Sequence, residues 1–313
     1  MPQITQSRLS TKEQIESIWK LGGITPSQLG KRVWSEIGQD DLVSRASDLA
    51  YNFLLAAFPM LLFLVSLFGL FASQSQHLQD SLFFYLSHVL PPAAFTLIEH
   101  TLRETIRKSS SGKLAFGLVF ALWAGSGGMS SLISGLNIAY GVRDSRSWIK
   151  VKLRAIALTI AISALIMLAL LIVLYGGSIA EFIGAKFDLA DIAVLTWKIA
   201  EWIVALAFVV LAFALIYYYG PDLKEQHWYW ITPGSLAGVI LWLAVSFGFR
   251  VYLHFFNSYS KTYGSLGAVI ILLFWFYVTG FAFLIGGEIN SEIEHAAAAH
   301  GHPEAKPEGR KAA

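Results

Sequence analysis

Long apolar runs, each bounded by polar or charged residues, recur along the chain. Six of them reach about 20 residues, the length at which an α-helix with a rise of 1.5 Å per residue crosses the hydrocarbon core of a bilayer. The pattern predicts an all-α fold, a polytopic membrane protein whose domain 49–294 is a bundle of six transmembrane helices. The predicted spans are Leu49–Ala72, Leu114–Tyr140, Arg154–Phe182, Lys198–Tyr219, Thr232–Phe255 and Gly264–Gly287.

The segment Leu78–Lys108 is the main ambiguity in this pattern. Its apolar residues are interrupted by charged side chains and by the pair Pro91-Pro92. Because proline ends a helix and the charges are spread along the segment, two amphipathic helices on the outer membrane surface fit better than a seventh span. A re-entrant pair of helices is the alternative. A seventh span would also reverse the orientation of every later helix.

The polar segment 1–48 is predicted to form short amphipathic helices on the cytoplasmic side. Thr25-Pro26 is typical of a helix cap followed by proline at the first helical position. An apolar face then follows at helical spacing. Its residues are Leu29, Val33, Trp34 and Ile37. Two interpretations stand, a helix on the membrane surface and a regulatory arm.

The segment 295–313 is predicted to be a disordered cytoplasmic tail, because it is rich in alanine, glycine, proline and charge and has no apolar face. Three of its residues are histidines, His295, His300 and His302, which could suggest a metal site. No carboxylates or cysteines are spaced around them as zinc sites require, so we expect no metal and no cofactor.

Composition supports the membrane assignment. Hydrophobic residues make up 55% of the 313 residues and charged residues only 14%, whereas a soluble domain carries about 25% charged residues. The formal net charge of +2 does not indicate nucleic-acid binding. The chain has no cysteine, which excludes disulfides, thiolate metal sites and cysteine nucleophiles.

Lysine and arginine predict the orientation, because cytoplasmic loops of membrane proteins are enriched in them. The densest cluster, Arg143–Arg154, lies between the second and third spans and is close to both. Placing this cluster inside also places both termini inside. We therefore expect a multi-pass protein of the cytoplasmic membrane with both termini in the cytoplasm and the lipid bilayer as its surrounding partner.

A stripe of small residues marks the second span. Gly127, Ser131 and Gly135 recur every four residues and share one helix face. Such a stripe lets two helix backbones approach closely. Glycine pairs in mid-membrane can also mark a broken helix whose free backbone groups bind a ligand. Both interpretations remain open.

Arg250 is the one charge well inside an apolar run. It lies about 27 Å along the fifth span, near the outer surface, so its side chain could snorkel to the interface. The sharper hypothesis is a buried ion pair. Glu201 in the fourth span lies at a similar depth and is the preferred partner, with Glu181 second.

The stretch FLIGGEINSEIE ends the sixth apolar run. Glu288 arrives at the inner membrane surface, and Glu292, four residues later, shares its helix face. We expect the helix to continue through Ile293, with Ile289 and Ile293 on another face. One hypothesis is a structural clamp, for which the partners would be Arg45, Arg143 and Arg154. The other is a cytoplasmic gate or an ion-coupling carboxylate.

No catalytic constellation competes with these features. A nuclease would need clustered carboxylates that hold metal ions, or a histidine pair for acid–base chemistry. Asp40 and Asp41 are more consistent with a helix cap, and no basic groove with aromatic residues accompanies them. A serine nucleophile elbow and a phosphate-binding loop are also absent. The sequence therefore predicts no enzyme and no nucleic-acid partner.

Four segments carry a family likeness. They are SDLAYNFLLAAFPMLLFLVSLFG, which contains Tyr51 and Pro59, then LWAGSGGMSSLISGLNIAYGV, PGSLAGVILWL, and YGSLGAVIILLFWFYVTGFAFLIGGEINSEIE. In this order, and over about Asp40 to Glu294, they resemble the YihY/BrkB family of bacterial inner-membrane proteins. The resemblance implies six spans and a bacterial inner-membrane location. The family formerly carried the label ribonuclease BN, and some members are linked to serum resistance and virulence. No firmly established biochemical activity comes with it.

Polar and small residues within or at the ends of the spans favour a permease, a transporter of lipid or another small molecule. The candidates for a transport path or gate are Asn52, Pro59, Gly127, Ser131, Asn137, Glu288 and Asn290. The alternative is a non-catalytic scaffold that supports envelope integrity or virulence. Ion or proton exchange is less favoured, because the spans have no carboxylate at the membrane centre. The sequence does not indicate an oligomeric state.

Overall fold

The structure is a computed structural model that describes residues 17–72, 111–187, 190–223, 232–255 and 258–299, together with residues 80, 83–84 and 99. Within these ranges all regular structure is helical, as the sequence predicts, and no strand occurs. A 3-10 turn at Leu21–Gly23 precedes the helices. The helices are α1 (Pro26–Gln39), α2 (Leu42–Ala72), α3 (Ser111–Ala139), α4 (Trp148–Phe187), α5 (Ala190–Tyr219), α6 (Pro233–Phe255) and α7 (Ser258–Ala299).

Five helical segments in the described ranges are long and apolar enough to cross a membrane. They are Val119–Ala139, Trp148–Ile172, Ile199–Tyr219, Pro233–Tyr252 and Val269–Ala299. They coincide with five of the six predicted spans, which confirms a multi-pass membrane protein. The remaining predicted span lies in α2, which has 31 residues and therefore the length of a further crossing. Most of the segment Leu78–Lys108 lies outside the described residues.

The chain divides into two compact units. The first contains Met1–Leu54, Ser130–Arg154 and Phe213–Ala313, and the second contains Leu55–Met129 and Ala155–Ala212. In the second unit, α3 approaches α2 closely at Gly125, where a Cβ would lie 3.4 Å from the backbone of Met60. All of the polar contacts described below lie within the first unit.

Side chains cap the first turns of α1 and α6 in the same way. The Thr25 hydroxyl accepts a hydrogen bond from the backbone N–H of Gln28 at 3.3 Å, and the Thr25 N–H donates to Gln28 Oε1 at 2.9 Å. At α6, Thr232 and Ser235 exchange equivalent bonds of 3.0 and 3.1 Å. These capping boxes satisfy backbone donors that a helix start leaves open. They confirm the predicted cap at Thr25-Pro26.

The end of α3 closes in a Schellman motif. Gly141 has φ +55°, a left-handed conformation that favours glycine. Its N–H donates to the carbonyl of Ile138 at 2.7 Å, and the Val142 N–H donates to the carbonyl of Asn137 at 2.8 Å. The chain therefore leaves the membrane helix abruptly and turns at once into the polar loop before α4.

The last helix extends beyond the apolar span Gly264–Gly287 that the sequence predicts. α7 has 42 residues, which is about 63 Å of helix and twice the thickness of a hydrocarbon core. Its continuation through Ile293 confirms the prediction. The prediction of a disordered tail from residue 295 is wrong for His295–Ala299, because alanine favours helix and Ala296 and Ala297 are buried against the N-terminal segment. Residues 300–313, with two of the tail histidines, lie outside the described residues.

Candidate functional site

An apolar cluster joins the two ends of the described chain. Leu29 and Val33 of α1 pack against Ile293 of α7. Half-buried residues from the same two segments surround them: Ile18, Leu21, Ile24, Ile37, Ile285 and Ile289. We call this contact between residues 18–40 and residues 285–297 the terminal junction.

The face of α1 that lies in this junction differs from the predicted one. Leu29, Val33 and Ile37 point toward α7, whereas Trp34 is 78% exposed. The apolar face is therefore covered by protein, contrary to the expectation that it lies on the membrane surface. Ile289 and Ile293, which the sequence places on a face away from Glu288, supply the covering surface.

Gly22 brings the N-terminal segment into direct contact with the α7 backbone. Its φ is +62°, which favours glycine. A Cβ at this position would lie 2.5 Å from the carbonyl oxygen of Ile293 and 2.7 Å from the N atom of Ala297. Only a residue without a side chain fits there, so Gly22 fixes the approach of the turn to the end of α7.

Glu292 is the charged contact of the terminal junction. One carboxylate oxygen lies 3.8 Å from Arg32 Nη1 of α1, and the other lies 3.0 Å from His295 Nδ1 on the next turn of α7. The Glu292 side chain is 9% exposed, so the ion pair with Arg32 is shielded from solvent on the carboxylate side. This arrangement is a clamp between α1 and α7, and its cation is Arg32 rather than one of the arginines named from the sequence.

Glu288 has a different environment. It is 1% exposed, and its Oε1 atom receives no hydrogen bond from the described residues. Asp40 is the C-cap residue of α1, and its backbone N–H donates to the Glu36 carbonyl. Its carboxyl lies in hydrogen-bonding position to Glu288, and Glu36 and Glu292 add further negative charge. The charged groups that act on Glu288 most strongly are therefore acidic.

The arginines predicted as clamp partners of Glu288 are engaged or exposed elsewhere. Arg45 lies 3.9 Å from Asp48 on its own helix. Arg154 donates to the carbonyl of Tyr219 at 3.3 Å, and Arg143 is exposed. The two acids of the FLIGGEINSEIE stretch thus differ: within the described residues Glu292 is paired with a cation, and Glu288 has no ion pair.

Asn290 connects α7 to two other helices. Its Oδ1 accepts a 2.9 Å hydrogen bond from the N–H of Gly234 in the first turn of α6. Its side chain also hydrogen-bonds to Tyr140 at the end of α3. Asn290 is 6% exposed, and it therefore satisfies a buried backbone donor that the helix start leaves open.

Two glycines bring α6 and α7 together beside this amide. A Cβ on Gly234 would overlap the carbonyl oxygen of Gly286, and one on Gly286 would overlap the hydroxyl of Tyr217. That hydroxyl donates to the carbonyl of Phe283 at 2.8 Å. The Phe283 ring stacks on Phe213 at 4.0 Å between centroids. The contact between these helices depends on small residues, as expected of membrane helices.

Asn137 belongs to a polar network that joins two loops. Its Nδ2 donates to Asp144 Oδ2, and its Oδ1 accepts from the N–H of Asp222, both at 2.8 Å. Arg146 donates two bonds of 2.7 Å to Asp144 and lies 3.4 Å from Asp222. Ser145 donates to Asp222 through both its N–H and its hydroxyl. We call these five residues the loop network.

The acids of the loop network are held ionised. Hydrogen bonds from Arg146 lower the pKa of Asp144 below its usual value. Burial alone would raise the pKa of Asp222, but hydrogen bonds from Ser145 outweigh it and lower that pKa as well. The Arg146 side chain is 7% exposed, so the network is a shielded clamp in which Asn137 positions both loops.

Four other predicted path residues lie on α2 and α3. Asn52 is half-buried and donates to the carbonyl of Asp48 in its own helix at 2.8 Å. Pro59 lies inside α2. Gly127 and Ser131 are half-buried on α3, and a Cβ at Gly127 would meet no atom within 4 Å. Close packing on the predicted stripe occurs instead at Gly135, where a Cβ would lie 2.9 Å from Leu284 Cδ2.

Arg250 is exposed on α6, and Glu201 is half-buried on α5. The two residues belong to different compact units, so their ion pair stays a prediction.

Three participants in these contacts had no sequence signal that set them apart. Asp40 looks like an ordinary cap residue, and Arg146 and Asp222 look like ordinary loop charges. Tyr140 falls inside one of the family segments, which was the only indication of its importance. Spacing along the chain cannot show that Asp222 lies beside Asp144, because 78 residues separate them.

The comparisons agree with this architecture. Residues 33–310 match the family model described as virulence factor BrkB. A putative ribonuclease-like protein, YfkH of Bacillus subtilis, is 34% identical over 265 residues, which cover 83% of this chain and 93% of the relative. A UPF0761 membrane protein of Xanthomonas campestris is 24% identical over 298 residues.

The match to the Xanthomonas protein covers 92% of this chain and 65% of the relative, so the chain spans about two thirds of that protein's length. No solved structure matches the chain. The family match extends over most of the sequence and agrees with the helical architecture. The chain belongs to the BrkB virulence-factor family of membrane proteins.

Proposed function

We propose that this protein is a permease of the cytoplasmic membrane, a transporter of lipid or another small molecule, and that the terminal junction is its cytoplasmic gate. The observation that carries the proposal is Glu288, a carboxyl that is 1% exposed with an oxygen that accepts no hydrogen bond from the described residues. A carboxyl buried without a cation destabilises a fold whenever it ionises. Proteins retain such a buried ionisable group mainly where it has a function, as in transport paths and gates.

The position of the terminal junction supports the proposed orientation. The segment before α2 packs on the segment that ends α7, so both lie on the same side of the membrane. The number of crossings between them is then even. Five candidate spans together with α2 give six, and the basic loop before α4 supports a cytoplasmic location for this side.

The proposal does not include an enzyme activity, although one relative is named ribonuclease-like. The carboxyl of Glu288 is buried, and Glu292 is engaged by Arg32 and His295. In the part of the chain that the structure describes, no group of three or more acidic or histidine side chains is arranged to hold a metal ion. An envelope scaffold is the remaining alternative, and a transport assay separates the two.

The test uses purified protein in vesicles of phosphatidylethanolamine and phosphatidylglycerol. Two probes are followed, a fluorescently tagged phospholipid that a reductant quenches from outside and glycerol, whose entry swells the vesicles. We expect movement of at least one probe above empty vesicles. Glu288→Gln should slow it by about tenfold, a barrier change of about 1.4 kcal/mol. The matched control is Asp41→Asn, an exposed acid next to Asp40. Vesicles that move neither probe would contradict the transport proposal.

A further inference from the structure

The chemistry around Glu288 points to a ligand for the gate. Two carboxyl groups, those of Glu288 and Asp40, lie in hydrogen-bonding position to each other. Ionised carboxylates are acceptors only, and a carboxyl can donate only when it carries a proton. Two carboxyls in one site therefore hold one proton between them or repel each other.

The unpartnered oxygen gives a second and independent indication. Glu288 Oε1 has less than 1 Å² of accessible surface and no hydrogen-bond partner in the described residues. An ionised carboxylate buried in this way would lack a donor on a charged oxygen, which is costly. A protonated carboxyl is neutral and makes its strong hydrogen bond through its O–H. Leaving its carbonyl oxygen without a partner therefore costs less than leaving a charged carboxylate oxygen without one.

The charged and titratable groups near the pair come from α1, α7 and the end of α3. Glu36 of α1 and Glu292 of α7 act on Glu288 directly, and Glu288 in turn acts on Tyr140 at the end of α3, together with Glu294 and Tyr217. Arg32 and His295 contact Glu292. The cation of Arg32 lies at Glu292. The charged groups acting most strongly on Glu288 are acids.

We propose that the Glu288–Asp40 pair is a proton-binding site and that its proton couples the gate to transport. The inference deepens the proposed transport function and rests on it for the role of the proton. In the closed junction the O–H of Glu288 donates to the Asp40 carboxylate. Loss of this proton to cytoplasmic water leaves two carboxylates facing each other, and their repulsion separates α1 from α7.

A metal cation is a weaker alternative for the same place. Calcium and magnesium sites take at least six oxygen ligands, several of them from side chains or water. In the described ranges no group of three or more candidate ligands is arranged for a metal. A proton needs only the two carboxyls.

Infrared difference spectroscopy of the full-length protein at neutral pH tests the site directly. A protonated carboxyl has a carbonyl band that an ionised one lacks, and exchange into D₂O shifts it. We expect this band in the wild type and in Asp41→Asn, its loss in Glu288→Gln, and a change in its frequency in Asp40→Asn. A Glu288→Gln spectrum identical to that of the wild type would overturn the proton site. An unchanged band in Asp40→Asn would overturn the pairing.

The coupling is tested by the vesicle assay with a proton gradient across the membrane. We expect the gradient to change the rate at which wild-type protein moves the probe, and to have no effect on Glu288→Gln. A wild-type rate insensitive to the gradient would overturn the coupling. A band that is present in protein that moves no probe would overturn the transport function and leave the proton site standing, so the two failures are distinguishable.

Discussion

Gly22 lies against the backbone of Ile293 so closely that a single methyl group on it would fall 2.5 Å from the Ile293 carbonyl oxygen. The contact joins a residue near the start of the described chain to one near its end. It defines the terminal junction at the level of the backbone and does not depend on side-chain packing alone.

Gly22→Ala is expected to open this contact. The substitution places a Cβ at φ +62° and into the α7 backbone, and a non-glycine residue in such a conformation costs about 1–3 kcal/mol before any clash is counted. Thermal unfolding in detergent measures the loss. The control is Gly30→Ala in α1, where a Cβ would meet nothing within 4 Å and alanine should stabilise the helix by up to about 1 kcal/mol. Equal stability of the two variants would contradict the packing.

Asn290→Ala is expected to destabilise the protein by about 1–3 kcal/mol, because it leaves the Gly234 N–H buried without its acceptor. Its control is Asn52→Ala, which removes a hydrogen bond within one helix to a carbonyl that the helix can already use. Unfolding midpoints of both variants give the comparison. A larger loss at Asn52 than at Asn290 is the result that the structure does not allow.

The loop network makes a prediction about pH. The pKa of Asp144 is lowered in the folded protein, so the stability that it contributes is present above its unfolded pKa of about 3.9 and is lost as pH falls through the folded value. Asp144→Asn should therefore be less stable than the wild type at pH 7, by about 1.5–3 kcal/mol for hydrogen bonds to a charged group. The difference should disappear in acid. A gap that stays constant with pH would show that Asp144 is not ionised in the network.

Six crossings predict a definite labelling pattern. The chain has no cysteine, so single cysteines can be introduced without background. In intact cells a membrane-impermeant maleimide should label Asp188→Cys, between α4 and α5, and should not label Ser35→Cys in α1 or Ser147→Cys before α4. Labelling of Ser35→Cys and Ser147→Cys from opposite sides would contradict the two crossings by α2 and α3.

Much of the fold could be predicted because membrane helices depend on long apolar runs. The residues that meet in the terminal junction could not be predicted in this way. The helical spacing of Leu29, Val33 and Trp34 fits an apolar face. Only tertiary packing decides that Ile293 covers the first two and leaves Trp34 exposed. From composition alone, residues 296–299 are predicted to belong to a disordered tail, because composition does not reveal that Gly22 packs beside them.

The candidate site can also be predicted only in part, because its contacts depend on tertiary packing. The sequence indicates that Glu288 and Asn290 lie at the end of a span, and depth along one helix follows from counting residues. The partner of each depends on contacts between distant segments. Asp40 lies 248 residues before Glu288, and no local pattern relates the two. The sequence makes Asn137 a candidate for a transport path, and only the structure reveals that its amide joins two loops.

The most direct test of the account is the thermal unfolding midpoint of Glu288→Gln beside that of Glu292→Gln. Glutamine at 288 has the same shape, removes the buried acid and supplies an N–H for Asp40. The account predicts a midpoint equal to or above that of the wild type. Glutamine at 292 should lower the midpoint, because it breaks the contact with Arg32. If Glu288→Gln lowers the midpoint as much as Glu292→Gln, Glu288 is a structural clamp and the proposed gate is contradicted.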